Sequence, residues 1–344
     1  MSIEIEKILR ENKPEITEST IKAYMLNLQK LHDRLHGTKE FSDIEWLKQS
    51  DDVMASLDKH CSSYLTVRNY LNAVIVALLN REDFADVLEK YQSKRDTLND
   101  KYNEIQATKE PTEKQQANWV SVDEIEQLIE EYDRQIKRMK EKTDLTVKDM
   151  IAYQDRFMLQ FWLHYPLRND LNNTRVVARR AFNTLDRNDR ESSNFVIQGK
   201  IPELSIGNYK TRKKYGVKKI PLEDKSVLKA MRQWLEVSPN PDYILVNVKQ
   251  KTPMSSLQIT QNLIRIFKKN FNKNVGSTLL RHIVLTEKFG QQLQEMEDMA
   301  DVCCHGVTTA HKVYITASPA ARPAAFVLPS SCPRKSLTPP GAAL

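Results

Sequence analysis

Arg168, Lys210, Arg281, His305 and Tyr314 occur in that order along the chain, and together they have the side-chain types that breaking a phosphodiester without a metal requires. Two guanidinium groups can grip the non-bridging phosphate oxygens. A phenol can attack phosphorus, while a lysine and a histidine move the protons. A phenol ionises only near pH ~10, so nearby cations must help it shed its proton. The local contexts are Tyr165-Pro166-Leu167-Arg168, Asn208-Tyr209-Lys210-Thr211-Arg212-Lys213-Lys214, Leu279-Leu280-Arg281-His282 and Cys303-Cys304-His305-Gly306. Tyr314 follows His305 by nine residues.

Elements capable of positioning these residues can be read from the periodicity. At 344 residues, two domains is the natural expectation. Apolar residues recur at helical spacing from Ser19 to Leu35, and Gly37 stands where that helix should stop. Ser42-Asp43-Ile44-Glu45 reads as a capping box opening a short helix. Further helices are expected over Ser63–Asn80 and from about Glu82 to Ile105, giving a four-helix bundle over residues 1–106. Residues 107–118 are rich in Thr, Lys, Glu, Pro and Gln and read as a linker. A second domain, 119–317, opens with a capping box at Ser121 and continues with a helix from Val147 to His164.

After Arg168 the period changes. Thr174–Ala178, Asn194–Gln198, Glu203–Gly207 and Lys218–Leu222 are short and alternating or β-branched, which predicts a small antiparallel sheet within a mainly α domain. Helices are expected again over Asp224–Glu236, Ser255–Phe271, Ser277–Phe289 and around Thr308–Tyr314. Residues 318–344 hold six of the fourteen prolines and no acidic residue, a composition that predicts disorder and differs from the Lys- and Asn-rich body.

Composition narrows the function classes. The net charge is +7, but residues 200–274 alone carry sixteen Lys or Arg against five Asp or Glu. Charge gathered in one segment is the footprint of a nucleic-acid face, and the lysine-rich turn with Arg212, Lys213 and Lys214 is its centre. No apolar run is long enough for a membrane helix, and the acidic, polar start does not read as a signal peptide. The four cysteines are badly spaced for a disulfide framework, and Cys303-Cys304-His305 lacks the second ligand pair that a zinc site needs. An intracellular protein that uses neither metal nor cofactor is expected.

In the order and setting of its arginines, lysine, histidine and tyrosine, the chain resembles the tyrosine recombinase, or phage integrase, family over about residues 14–316. The resemblance implies a helical core-binding domain and a catalytic domain of the DNA breaking-and-rejoining type, closing as a clamp on double-stranded DNA. It implies strand cleavage through a 3′-phosphotyrosine on Tyr314, religation without ATP, and site-specific recombination such as the integration of a viral or mobile element. A homotetramer assembled on synapsed DNA is implied too. Arg168 and Arg281 would hold the phosphate and His305 would hydrogen-bond it. Lys210 would protonate the leaving 5′ oxygen, with Lys213 and Lys214 as alternatives because hairpin register is open.

Two departures stand out. The family usually has a histidine three residues before its second arginine, where this chain has Thr278. Many members also place an acidic residue three positions after the first arginine, whereas here Asp170 lies two positions on. A type IB topoisomerase, which uses nearly the same residues, and a catalytically impaired DNA-binding relative are the alternatives.

Overall fold

A computed structural model describes residues 3–37, 41–139 and 141–309. The chain divides into two compact units, Met1–Thr112 and Glu113–Leu344.

The first unit is helical: α1 (Ile3–Asn12), α2 (Glu18–His36), α3 (Ser50–His60), α4 (Tyr64–Leu78) and α5 (Ala85–Ala107). Thr17 caps α2 by accepting from the Thr20 N–H, and Gly37 ends it at φ 71°, a left-handed position that suits glycine. α4 is apolar around most of its circumference and so lies at the centre, packed by α1, α2 and α5. The expected capping box at Ser42 forms differently. The Asp43 carboxylate accepts from the Glu45 N–H, and a single 3-10 turn, Glu45–Lys48, follows. Helices α1 and α3 escape the periodicity because each buries few large apolar residues, Ile5 and Leu9 in one and Val53 and Leu57 in the other.

The segment read as a linker contains a short helix, α6 (Glu113–Ala117). Its end belongs to the second unit, because the Lys273 ammonium donates to the Ala117 carbonyl and the Asn274 N–H to Asn118.

In the second unit, α7 (Val122–Met139) and α8 (Val147–His164) open with complete capping boxes at Ser121 and Thr146. α8 is buried along most of its length and carries its own polar anchors. Gln154 exchanges two hydrogen bonds with the backbone of Val246, and Asp155 is held by Arg265 and Tyr132. Strand β1 (Arg175–Ala178) follows, then short helices α9 (Arg179–Thr184) and α10 (Arg187–Ser192), then β2 (Asn194–Gln198), β3 (Glu203–Ile206), a helical turn α11 (Arg212–Tyr215) and β4 (Lys218–Pro221). The chain continues through α12 (Lys225–Val237), a hairpin of β5 (Val246–Asn247) and β6 (Thr252–Pro253), α13 (Ser256–Phe271), α14 (Ser277–Val302) and α15 (Val307–Thr309). Val196, Leu204 and Ile206 turn one sheet face into the core formed with α7, α8, α12, α13 and α14.

Two expectations are corrected. The four-stranded sheet is mixed, because β1 and β2 pair in parallel while β2–β3 and β3–β4 are antiparallel. The reason is the connection: α9 and α10 carry the chain back across the sheet between β1 and β2, which a hairpin cannot do. The helix expected over Ser277–Phe289 runs on without a break to Val302. Gly290 costs an α-helix only ~1 kcal/mol, and the strongly helix-forming Gln, Leu, Glu, Met and Ala residues that follow outweigh it. Tyr314 and residues 318–344 lie outside the described residues. No helix among the described residues is long and apolar enough to cross a membrane.

The start of α8 predicts a pH dependence. Lys142 and the Thr146 N–H and hydroxyl all bind the Asp149 carboxylate and bring its pKa down to about 2. A depressed carboxylate pKa stabilises the fold above the ordinary aspartate value, and that stability is lost as pH falls toward the folded value. The urea midpoint of the wild type should therefore decline between about pH 4 and pH 2, and Asp149→Asn should flatten that decline.

Candidate active site

The site grows from the end of α8. Pro166 cannot continue the helix, so the chain leaves through a tight turn in which the Leu167 N–H donates to the Tyr165 carbonyl. The next five residues are short of regular hydrogen bonds, and side chains from α8, α14 and β2, with one of the segment's own reaching α13, supply them. Trp162, fully buried on α8, donates its indole N–H to the Leu167 carbonyl at 3.0 Å. Arg281, on the first turns of α14, donates Nε–H to the Pro166 carbonyl at 2.8 Å. Asn169 reaches α13, donating to the Ser256 carbonyl at 2.9 Å and to the Thr260 hydroxyl at 2.6 Å. Asn194, at the start of β2, donates to the Asp170 carbonyl at 2.7 Å.

This clamp brings Arg168 and Arg281 together across 113 residues of sequence. Each guanidinium lies in the other's field: burial first, and then the neighbouring charge of Arg168, push the Arg281 pKa down. Asp170 sits between them electrostatically. Burial raises its pKa, and Arg168 and Arg281 both oppose that rise. Arg168 is exposed, and Arg281 is half-buried with a buried Nη2 that has no hydrogen-bond partner among the described residues. Two neighbouring guanidiniums, one with an unsatisfied nitrogen, make a receptor for an oxyanion.

The turn bearing Lys210 is knit to the same place by Asn194. Its buried amide donates to the Asn208 carbonyl at 3.1 Å and accepts from the N–H groups of Gly207 and Asn208 at 3.0 and 2.7 Å. One side chain thus joins the Arg168 turn to the β3–β4 connection. Gly207 is obligatory there, because a Cβ would collide with the backbone carbonyls of Glu191 and Ser193. Because the same Asn194 amide donates to the Asp170 and Asn208 carbonyls, the start of this connection lies beside the turn that carries Arg168. Lys210 itself is exposed.

Beyond Lys210 the connection is folded rather than extended. Tyr209 closes it by donating its hydroxyl to the Gly216 carbonyl at 2.6 Å, and the Lys214 and Lys218 ammonium groups lie over the Tyr215 ring. Lys213 and Lys214 are exposed, whereas Arg212 approaches the Glu191 carboxylate at 3.6 Å. The basic turn therefore has an acidic neighbour on α10 that its own sequence does not reveal.

His305 is not brought to the arginine pair. Its backbone N–H donates to the Ala300 carbonyl at the far end of α14, nineteen residues beyond Arg281. At ~1.5 Å per residue that is roughly 30 Å along the helix. Thr278 is exposed on the first turn of α14. Trp162 and Asn194 are positioning residues that the sequence motifs do not include, and Asn169 stands beside Arg168 in its motif with no role that the sequence assigns. The one available signal was Asn194 itself, an amide opening an otherwise apolar run, in a strand where asparagine is disfavoured.

Asn194→Ala should leave the Asn208 N–H without its acceptor, the Gly207 N–H with only the Ser193 carbonyl, and the Asp170 and Asn208 carbonyls without their shared donor. We expect a loss of about 2–3 kcal/mol in urea unfolding. Asn194→Asp should recover only part of it, since a carboxylate accepts from both N–H groups but donates to neither carbonyl. A midpoint unchanged in both variants would show that this amide does not hold the two segments together.

Comparison with known families finds no family model that matches the chain, and comparison with curated proteins finds no match.

Proposed function

We propose that the chain is a DNA strand transferase of the tyrosine recombinase type, acting on double-stranded DNA without metal or ATP. The observation that carries this reading is the convergence of Arg168 and Arg281, tied through the Pro166 carbonyl, with Nη2 of Arg281 buried and unsatisfied and Asp170 in the field of both. In this reading the two guanidiniums hold the non-bridging oxygens of a scissile phosphodiester and stabilise the charge that builds on them as phosphorus becomes five-coordinate. Tyr314 supplies the attacking oxygen and gives up its phenolic proton to water. The bond from phosphorus to the 5′ oxygen breaks as the tyrosyl bond forms, so the phosphodiester energy is kept and religation runs the same steps backwards. Lys210, exposed on the turn beside the pair, gives its proton to the departing 5′ oxygen. Lys213, Lys214 and Arg212 lie along the adjoining DNA backbone.

The far placement of His305 favours a second reading, a DNA-binding relative impaired in catalysis. Covalent trapping separates the two readings. On a nicked duplex from which the cleaved strand diffuses away, the wild type should accumulate a protein–DNA adduct, and Tyr314→Phe should form none while binding DNA with nearly unchanged affinity. Failure of the wild type to form any adduct, with DNA affinity intact, would leave the binding relative as the answer. Relaxation of a supercoiled plasmid carrying a single site would instead point to the topoisomerase outcome.

Arg168→Ala and Arg281→Ala should each slow single-turnover cleavage by about a hundredfold or more, the scale of losing one electrostatic contact to a transition state. Lys210→Ala should slow cleavage more than binding, and a 5′-bridging phosphorothioate should rescue it because a thiolate leaves without an acid. Rescue of Lys213→Ala or Lys214→Ala in its place would move the general acid to that neighbour.

A further inference from the structure

The face of the sheet turned away from the main core carries a second basic feature. Ser205 lies opposite Phe195 on one side and Lys219 on the other, so all three share this face. Phe182 of α9 packs on Phe195 and covers part of it. Beside them opens a cleft of about 310 Å³ whose lining includes Arg187, Arg190, Glu191, Ser205 and Lys219. Ser205 is 0% exposed, and its hydroxyl has no hydrogen-bond partner among the described residues. A buried hydroxyl left unsatisfied costs about 1–3 kcal/mol, so its retention at the floor of a cationic cleft calls for an acceptor.

The charges around it are unevenly matched. The Glu191 carboxylate is taken up by Arg187 at 2.7 Å and by Arg212 at 3.6 Å. Arg190 spends Nε on a long, 3.4 Å bond to the Asp186 carbonyl, and Lys219 is exposed. Among the described residues, Arg190 and Lys219 form no ion pair. We propose that this cleft binds a phosphate-class oxyanion, with the Ser205 O–H donating from the floor and Arg190 and Lys219 closing over it. The ligand is either free phosphate or one phosphate of a nucleic-acid backbone. Both offer the same tetrahedral oxygens to the same donors.

The test uses the full chain carrying Arg168→Ala and Arg281→Ala, so that the other oxyanion receptor is silent. Calorimetric titration with inorganic phosphate should show one site. Ser205→Ala, Arg190→Gln and Lys219→Gln should each weaken it by about tenfold, the scale of one hydrogen bond to a charged group. Ser205→Ala should leave the melting temperature unchanged or higher, because it removes an unsatisfied hydroxyl. A hydroxyl serving only the fold would lower it.

Titration with duplex DNA across a range of salt tells the two sources apart. If the ligand is a backbone phosphate, Arg190→Gln and Lys219→Gln should each reduce the salt slope by about one. If it is free phosphate, the DNA affinity and slope stay unchanged while phosphate binding falls. No phosphate binding by the parent, undiminished binding in all three variants, or a lowered melting temperature in Ser205→Ala would overturn the assignment.

Discussion

The hydrogen bond from Arg281 Nε to the Pro166 carbonyl is the contact on which the candidate site depends. It joins the first turns of α14 to the segment that leaves α8, and so ties Arg281 to the turn that carries Arg168. The bond also orients the guanidinium. With Nε committed to the backbone, the terminal nitrogens have to face elsewhere, and Nη2 is left buried and unsatisfied. A group in that state is costly unless a ligand completes it. The remaining clamps, from Trp162, Asn169 and Asn194, keep the acceptor carbonyl and its neighbours in place.

This arrangement stores electrostatic tension in a defined place. Two cations brought near one another repel, and the single Asp170 carboxylate beside them can answer only one of the two charges. An arriving phosphodiester would relieve the repulsion and supply the acceptor that Arg281 lacks. That sign pattern, cations with an incomplete counter-charge at a rigid turn, is what distinguishes the pair from the ion pairs of the first unit. There Arg10 is fully matched by Glu6 and Glu18. The continuous α14 sets a contrasting constraint: a helix that carries Arg281 near one end and His305 beyond the other keeps them far apart for as long as it stays unbroken.

Much of the second unit was legible in the sequence. The bounds of α8 and β2 follow from period and punctuation, and Asp224 and Ser255 mark helix starts by the chemistry of capping. What escaped had physical reasons. The parallel pairing of β1 with β2 depends on a crossover whose two helices span six residues each, too short to show a period. The run of α14 past Phe289 was hidden because the residues beyond it bury only Ala300, so no apolar stripe marks the helix there. The arginine pair could be named from local motifs, but its clamp could not. Asn169 and Asn194 act on groups that only the tertiary fold brings within reach, and Trp162 on a carbonyl that the turn after α8 folds back to it. The ion pair between Arg212 and Glu191 was invisible for the same reason.

The central claim is that Arg168 and Arg281 act on the negative charge of a phosphate. It is tested most directly by comparing cleavage of a normal duplex with cleavage of one carrying a methylphosphonate at the scissile position, where one non-bridging oxygen is an uncharged methyl group. If the arginines serve that charge, the loss in Arg281→Ala on the normal duplex should shrink by at least about tenfold on the methylphosphonate, because the stabilised charge is already absent. An equal loss on both substrates would contradict the account and leave Arg281 as a residue that shapes the Pro166 turn and nothing more.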